Sequence, residues 1–378
     1  MENNNSVCFI ARINEIKPIE GADNIEQGVI GGWNCIIKKG EYKVDDLVAV
    51  ATTDAVIPQK LSDAMDVTNY LRKGGRVRTV KLRGVYSECL IIPFSMFVGR
   101  TKHIKTAKEG DDLMESLGIF KYEPPVKLIQ LSSGRKIRYS DNPNFGVYYK
   151  FPNLKNVQGM FTEDDIVEIT RKLHGTNARF GIVKKSKLGI VTRLRKLFGD
   201  KWAEYEYVYG SHNVEKGSDS QGFYSTDVWA EVAEKYDIKE KLWSYIKEIS
   251  VYEEVGDGVI LYGEIYGFGI QKNYDYGLKD IQFAGFDLFV NREYSNTFKS
   301  HNMINHYMQL QYVPILYTGT WSQEIQDSFV FDNFIEGSKI PHEGIVIKHT
   351  SGERIKVAKQ INPAYSMYSE KNDIGDSH

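Results

Sequence analysis

The chain has 378 residues, with 48 Lys and Arg against 50 Asp and Glu, so its formal net charge is −2. That balance excludes a bulk basic field for nucleic acid, and any such surface has to be a local patch. A hydrophobic share of 42% and a charged share of 26% belong to a folded protein with a real core, long enough for roughly two to three domains.

The cysteines, Cys8, Cys35 and Cys89, form no close pair and no CxxC. That pattern predicts free thiols in a reducing compartment, hence a cytoplasmic location. Met1 to Ser6 is polar and lacks the pattern of a signal peptide. No apolar run reaches membrane-spanning length, so no membrane partner is expected. The histidines make no HExxH, which argues against a structural zinc.

From Val7 to about Phe97 short strands alternate with turn signals: Phe9–Ile13, Gly28–Ile37 and Leu47–Ala51. Strands of this length at close spacing predict a small antiparallel barrel. Lys73–Gly84 reads as one more strand with a basic face, on which Arg76, Arg78, Lys81 and Arg83 could follow a phosphate backbone. A solvated edge strand is the equal alternative. Through Gly21-Ala22-Asp23-Asn24-Ile25, Gly32-Trp33, Lys43-Val44-Asp45-Asp46 and Lys81-Leu82-Arg83-Gly84, the segment resembles the N-terminal OB domain of one group of RNA ligases. Asp45 stands where that turn usually has glycine.

Connectors are expected at Lys102–Lys105, Lys121–Pro125 and Ser132–Arg135, with a loop over Ser140–Asn144. The predicted division is residues 1–125 for the barrel with its connector and 150–378 for the second domain. In the latter, Ile166–Thr170 and Ala178–Val183 read as strands flanking a Gly-Thr turn, which sets Lys172 at a strand end facing a cleft. Burial there would disfavour the charged amine and free its lone pair for attack. Lys184–Asp200 reads as a basic loop that could touch phosphates. Next come a strand through Glu204–Tyr209, two helices over Asp227–Ile249 broken near Tyr236-Asp237, and strands at Val259–Gly267 and Phe283–Val290. A helix over Ser295–Leu310, with Ser295 available as its N-cap, precedes strands at Ile345–Lys348 and Arg354–Val357. The layout is α+β and rich in antiparallel strands.

Taken in order, these strands present residues suited to a nucleoside triphosphate. Lys172 offers an amine, Glu264 and Glu343 carboxylates beside glycines, Phe283 a flat face, and Lys348, Lys356 and Lys359 cations. Lys172-Leu173-His174-Gly175-Thr176-Asn177 resembles motif I of the covalent nucleotidyltransferases in its RNA ligase form, K-x-H-G-T-N. Leu261–Gly267, followed by Tyr274-Asp275-Tyr276-Gly277, is similar to motif III. Phe283–Phe289 resembles motif IIIa, Glu343–Lys348 motif IV and Arg354–Lys359 motif V.

The resemblance implies an ATP-dependent RNA ligase that joins 3′-OH and 5′-phosphate ends through a lysyl-AMP and an adenylylated 5′ end. It implies Mg²⁺ or Mn²⁺ and RNA or RNA/DNA hybrid ends as partner; the sequence does not give the oligomeric state, and a monomer is the expectation. By that resemblance Lys172 is the nucleophile, Glu264 binds the ribose and Phe283 stacks on adenine. Glu343 binds metal, Lys356 and Lys359 contact the α-phosphate, and His212 replaces an arginine usual after the motif Ia strand. Arg171 stands where the family commonly has Glu. The lysines of motif V are three apart instead of two, which a bulge or the use of Arg354 with Lys356 would accommodate. DNA ligases and capping enzymes share this motif order but read K-x-D-G. A non-catalytic end-binding protein would keep the fold without the nucleophile.

Overall fold

A computed structural model describes residues 6–97, 108–122, 142–218, 227–351, 356–372 and 374. The expected connectors at 102–105, 123–125 and 132–135, the start of the 140–144 loop, and Arg354 lie outside the described residues. The chain divides into two compact units. One comprises Met1–Lys127, Pro152–Met160 and Gln360–Lys371; the other comprises Leu128–Phe151, Phe161–Lys359 and Asn372–His378.

In the first unit the order is β1 (Cys8–Arg12), β2 (Glu15–Pro18), β3 (Ile25–Ile30), β4 (Trp33–Lys38), β5 (Leu47–Thr52), β6 (Ala55–Val56), α1 (Gln59–Ala64), β7 (Val80–Leu82), β8 (Val85–Ser87), β9 (Cys89–Ile92), α2 (Met114–Leu117) and β10 (Phe120–Lys121). β1, β5 and β9 form one antiparallel sheet, and β2, β3 and β4 a meander. Along β4, Trp33, Cys35 and Ile37 alternate inward onto Ile30, Val48, Val50 and Ile91, the period of two of a half-buried strand. The stretch Gly28–Ile37 is therefore two strands, not one, reversed at Gly31, whose φ of 58° suits glycine. Asp45 has φ 72°, which explains why glycine is usual there and why aspartate is tolerated.

The basic strand expected over Lys73–Gly84 does not form. β7 covers only Val80–Leu82 and turns through Arg83 (φ 50°) and Gly84 (φ 83°) into β8. Arg76 is bonded to Asp54 and lies 4.1 Å over the Tyr122 ring. Arg78 Nε donates to the Tyr70 carbonyl at 3.1 Å, and Lys81 Nζ to the Tyr86 hydroxyl at 3.0 Å. A carboxylate, a carbonyl and a hydroxyl claim Arg76, Arg78 and Lys81 separately, and only Lys81 lies on the strand. The segment Pro152–Met160 seals the barrel: Lys155 is bonded to Glu88, their side chains 3% and 4% exposed, and Trp33 Nε1 donates to Asn156 Oδ1 at 3.2 Å.

The second unit contains β11 (Ile166–Lys172), β12 (Thr176–Lys184), α3 (Ile190–Leu197), β13 (Tyr205–Gly210), β14 (Glu215–Ser218), α4 (Val228–Lys235), α5 (Ile238–Ile249), β15 (Gly258–Gly267), β16 (Ile281–Val290), β17 (Glu293–Tyr294), α6 (Thr297–His301), β18 (Ile315–Thr320), α7 (Gln323–Val330), β19 (Gly344–His349) and β20 (Val357–Ile361), whose last two residues, with α8 (Pro363–Lys371), count with the first unit. Two sheets result, ordered β18-β11-β19-β20 and β14-β13-β12-β15-β16-β17. The helix break expected near Asp237 is there, with φ 51°. The cap of α6 is Asn296, which accepts from Lys299 N at 2.7 Å, rather than Ser295, and α6 continues as a π-helical turn over Asn302–Tyr307. The 184–200 stretch is not a plain loop, since it folds α3.

The six-stranded sheet is buried on both faces, so its strands read as nearly continuous apolar runs. One face, with Ala178, Phe180, Ile182, Leu261 and Ile265, meets Val232, Leu242 and Ile246 of α4 and α5. The other carries Phe145, Tyr148, Ile260 and Tyr262.

Candidate active site

β11 and β12 are consecutive but belong to different sheets, so no hairpin joins them. Lys172, the last residue of β11, pairs with Gly344 at the start of β19, which puts Glu343 beside it. Lys172 Nζ donates to Glu343 Oε1 at 2.6 Å, with the lysine side chain 23% exposed and the glutamate 6%. His174 Nδ1 lies 3.8 Å from Glu343 Oε2. The amine is thus held by a carboxylate, rather than isolated in apolar surroundings as its sequence context implied.

The crossing between the sheets explains the glycine. A Cβ on Gly175 would lie 2.1 Å from the Ile265 carbonyl oxygen, so only glycine lets the chain pass this close to β15. Gln271 Nε2 donates to the Gly175 carbonyl, and His174 N to the Tyr276 hydroxyl, both at 2.5 Å. Tyr276 is held at φ 60°, a conformation costly for a bulky side chain. Tyr274 donates to the Pro341 carbonyl at 2.7 Å and meets the His174 ring edge-on at 5.0 Å. These contacts fix the backbone on both sides of motif I.

Glu264 pairs across β12 with Asn177 and is partly exposed. Burial pushes its carboxyl up to about 8, against the pull of the Lys172 ammonium; the Glu343 charge adds to the rise and the Gly175 N–H opposes it. Two carboxylates around one amine therefore sit in unlike environments. Arg171, partly buried, has its charged form disfavoured by burial, and its Nη1 makes no hydrogen bond. Burial and that same arginine push the His342 imidazole down to about 4.

Residues 165–361 match the RNA ligase family model, just over half of the chain. The chain belongs to the RNA ligase family. Residues 7–94 match an OB-fold domain model, so the N-terminal barrel is an OB fold. No curated protein matches it significantly at the sequence level. Among solved structures, a mutant Naegleria gruberi RNA ligase with ATP and Mn aligns at TM-score 0.69 and 23% identity, over 97% of this chain and 99% of that one. The Naegleria gruberi RNA ligase with PPi gives 0.67 and 23% over 97% and 99%, and another mutant with AMP and Mn gives 0.67 and 21% over the same shares.

Within this ligase-family domain the structure gathers Lys172, His174, Glu264 and Glu343, and it corrects three other expectations. Phe283 is 1% exposed and packs edge-on against Phe180 at 5.5 Å, over Gly263. It pairs with Ile265, so strand alternation turns it to the helix-covered face, away from Glu264. It therefore presents no free face to a base. Lys348 donates to the Phe286 carbonyl at 2.8 Å and to Asp287 Oδ2 at 3.0 Å, a carboxylate that also accepts from Tyr148 and Ser300. It is a buried structural cation. Lys356 is bonded to Asp165, just before β11, at the opposite end of that strand from Lys172. Seven residues of strand separate the two ends, roughly 20 Å.

Lys359 lies on β20, half-buried, and β20 is next to β19 in the sheet. His212 lies in the turn after Gly210, which pairs with Arg179, so it occupies the same end of the six-stranded sheet as Asn177 and Glu264. Tyr276, Gln271 and Asp287 carry no sequence signal of their roles. The run Tyr274-Asp275-Tyr276-Gly277 was visible, but only the left-handed backbone at Tyr276 reveals that its hydroxyl is aimed at motif I. A hollow of about 290 Å³, lined by Lys184, Trp202, Tyr205 and Glu254, lies towards the other end of β12 and takes no part in this cluster. No described helix is long and apolar enough to cross a membrane.

Proposed function

We propose that this chain is an ATP-dependent RNA ligase joining RNA 3′-OH and 5′-phosphate ends, with Lys172 as the nucleophile. The observation that carries the reading is the 2.6 Å contact of the Lys172 amine with Glu343, beside Glu264, where the chain crosses from β11 to β12. Once its proton is released, the Nζ lone pair attacks the ATP α-phosphorus. An N–P bond forms, the α–β P–O bond breaks and pyrophosphate leaves. The AMP then passes to a 5′-phosphate oxygen, and a 3′-hydroxyl displaces AMP to form the phosphodiester. Glu343, which accepts from Lys172 Nζ at 2.6 Å, would take the lysine proton, and Glu264 would bond a ribose hydroxyl. Lys359 is the remaining motif V lysine for the α-phosphate, and His212 a candidate contact to the triphosphate from the sheet end.

Among the described residues no group of three or more His, Cys, Asp or Glu forms a metal cage. A divalent cation such as Mg²⁺ is commonly held by one or two carboxylates together with substrate phosphates. Glu343, with Glu264 nearby, would hold the ion, which when bound neutralises phosphate charge. The Naegleria gruberi RNA ligase structures with ATP and Mn support ATP and a divalent cation as the ligands. Residues 1–125 are proposed to grip nucleic acid and 150–378 to perform the chemistry. The three buried free thiols support a reducing, cytoplasmic compartment.

The test is incubation of purified, AMP-free protein with α-labelled ATP or GTP and metal, comparing wild type with Lys172→Ala. Label from ATP on the wild type alone is expected. No label on either protein overturns the assignment, and label from GTP alone indicates capping chemistry instead.

A further inference from the structure

Among the described helices of the second unit only α3 buries no residue, and its apolar side faces water. Ile190, Val191, Leu194, Leu197 and Phe198 are 78%, 71%, 50%, 80% and 85% exposed. They follow i, i+1, i+4, i+7 and i+8, one continuous stripe along two turns. Val251 and Tyr252, 74% and 84% exposed, belong to the segment joined to the stretch after α3 by the Lys201 Nζ to Ser250 Oγ bond of 3.4 Å. Soluble surfaces rarely leave contiguous apolar side chains uncovered without a use for them.

The surroundings say what would cover the stripe. Residues 184–204 hold Lys184, Lys185, Lys187, Arg193, Arg195, Lys196 and Lys201 against only Asp200 and Glu204. Arg195 pairs with Asp200 and Lys196 with Glu204, and the excess positive charge remains. A second copy would bring like charge against like charge. An RNA backbone would take the charge but leave the aliphatic row in water. A flat anionic surface with an apolar interior satisfies both halves, and a convex, protruding helix needs no groove to meet it. Nearby Glu253 is already held by Lys299 at 3.0 Å.

We propose that α3 is a peripheral membrane contact that lies in the interface of an anionic bilayer, with its Ile, Val, Leu and Phe stripe among the acyl chains and its Arg and Lys at the headgroups. This is attachment and not a span, and it is independent of the ligase reading. The test is flotation of the full chain with vesicles of neutral phosphatidylcholine, or of phosphatidylcholine with about 30% phosphatidylglycerol, at low salt and at about 0.5 M salt. The expected result is flotation only with the anionic vesicles, weakened by salt, and reduced at least ~10-fold in Leu194→Asp/Phe198→Asp. These positions are exposed, and an unchanged thermal melt certifies the variant's fold. Absence of wild-type flotation, or equal flotation of the variant, overturns the proposal. So does a variant that loses RNA binding or a sedimenting dimer while the wild type ignores vesicles, which would assign the stripe to RNA or to a second copy.

Discussion

Glu264→Gln tests the electrostatics of the candidate site without changing its shape. Burial moves this carboxyl from its ordinary 4.5 to about 8. Below 4.5 the group is protonated in both the folded and unfolded chain. Between 4.5 and about 8 the unfolded chain releases the proton while the folded chain keeps it, so stability falls as pH rises through that window and levels off above it. At about 1.4 kcal/mol per tenfold, the full interval is worth roughly 5 kcal/mol. Partial exposure of Glu264 and solvent screening reduce that to about 2–3 kcal/mol. The variant should match the wild type near pH 4.5 and melt roughly 5–10 °C higher above pH 8, given about 2–4 °C per kcal/mol for a unit of this size. Calorimetry of the ligand-free protein across this range reads the difference. Parallel curves for the two proteins would show that Glu264 is not held protonated, and would remove the unlike-carboxylate account of the site.

Lys155→Met strands a buried Glu88 carboxylate and should cost about 3–5 kcal/mol in denaturant titration, whereas Lys155→Met/Glu88→Gln should recover most of it; equal losses in both would deny the pair its part in sealing the barrel. Gly175→Ala forces a Cβ against the Ile265 carbonyl, so the backbone beside Lys172 must shift. Self-adenylylation measured with labelled ATP should fall by about 100-fold in a protein that still folds, and retention of wild-type rates would refute the close-approach argument. His342, pushed down to about 4, is neutral in the fold, and stability should drop as pH falls from 6.5 towards 4. His342→Gln should flatten that acid limb in a pH series of melts, and an unchanged limb would assign the acid loss to other groups.

Much of the second unit was legible because motif I, the β15 and β16 strands and the α4–α5 break each carry a local signature. Lys172, Glu264 and Glu343 converge as the motif order implied. What the sequence concealed were facing directions. Phe283, Lys348 and Lys356 stand in the right motifs, yet strand alternation and buried carboxylates turn them elsewhere. One-dimensional spacing does not say which of two faces a strand buries when both are covered. The basic face over Arg76–Arg83 failed for a related reason. The spacing of basic residues suggests a strand, while Gly74 and Gly75, at φ 89° and 83°, break the run. α3 was hidden by its own composition, since basic residues between apolar ones look like a loop until placed on a helical wheel.

The first unit is assembled from three separate lengths of chain: the barrel, the Pro152–Met160 segment that carries Lys155, and the Gln360–Lys371 segment that carries α8. No single cut removes it. A truncation that begins after residue 127 would leave Lys155 without Glu88, Asn156 without Trp33, and the Glu370 carbonyl without the Arg72 guanidinium that donates to it at 3.0 Å. Loss of sealing in such a fragment would report stranded side chains as readily as a missing grip on RNA. Exchanging the barrel between ligases would accordingly call for grafting all three segments together. The first unit is one compact body stitched from three stretches of sequence.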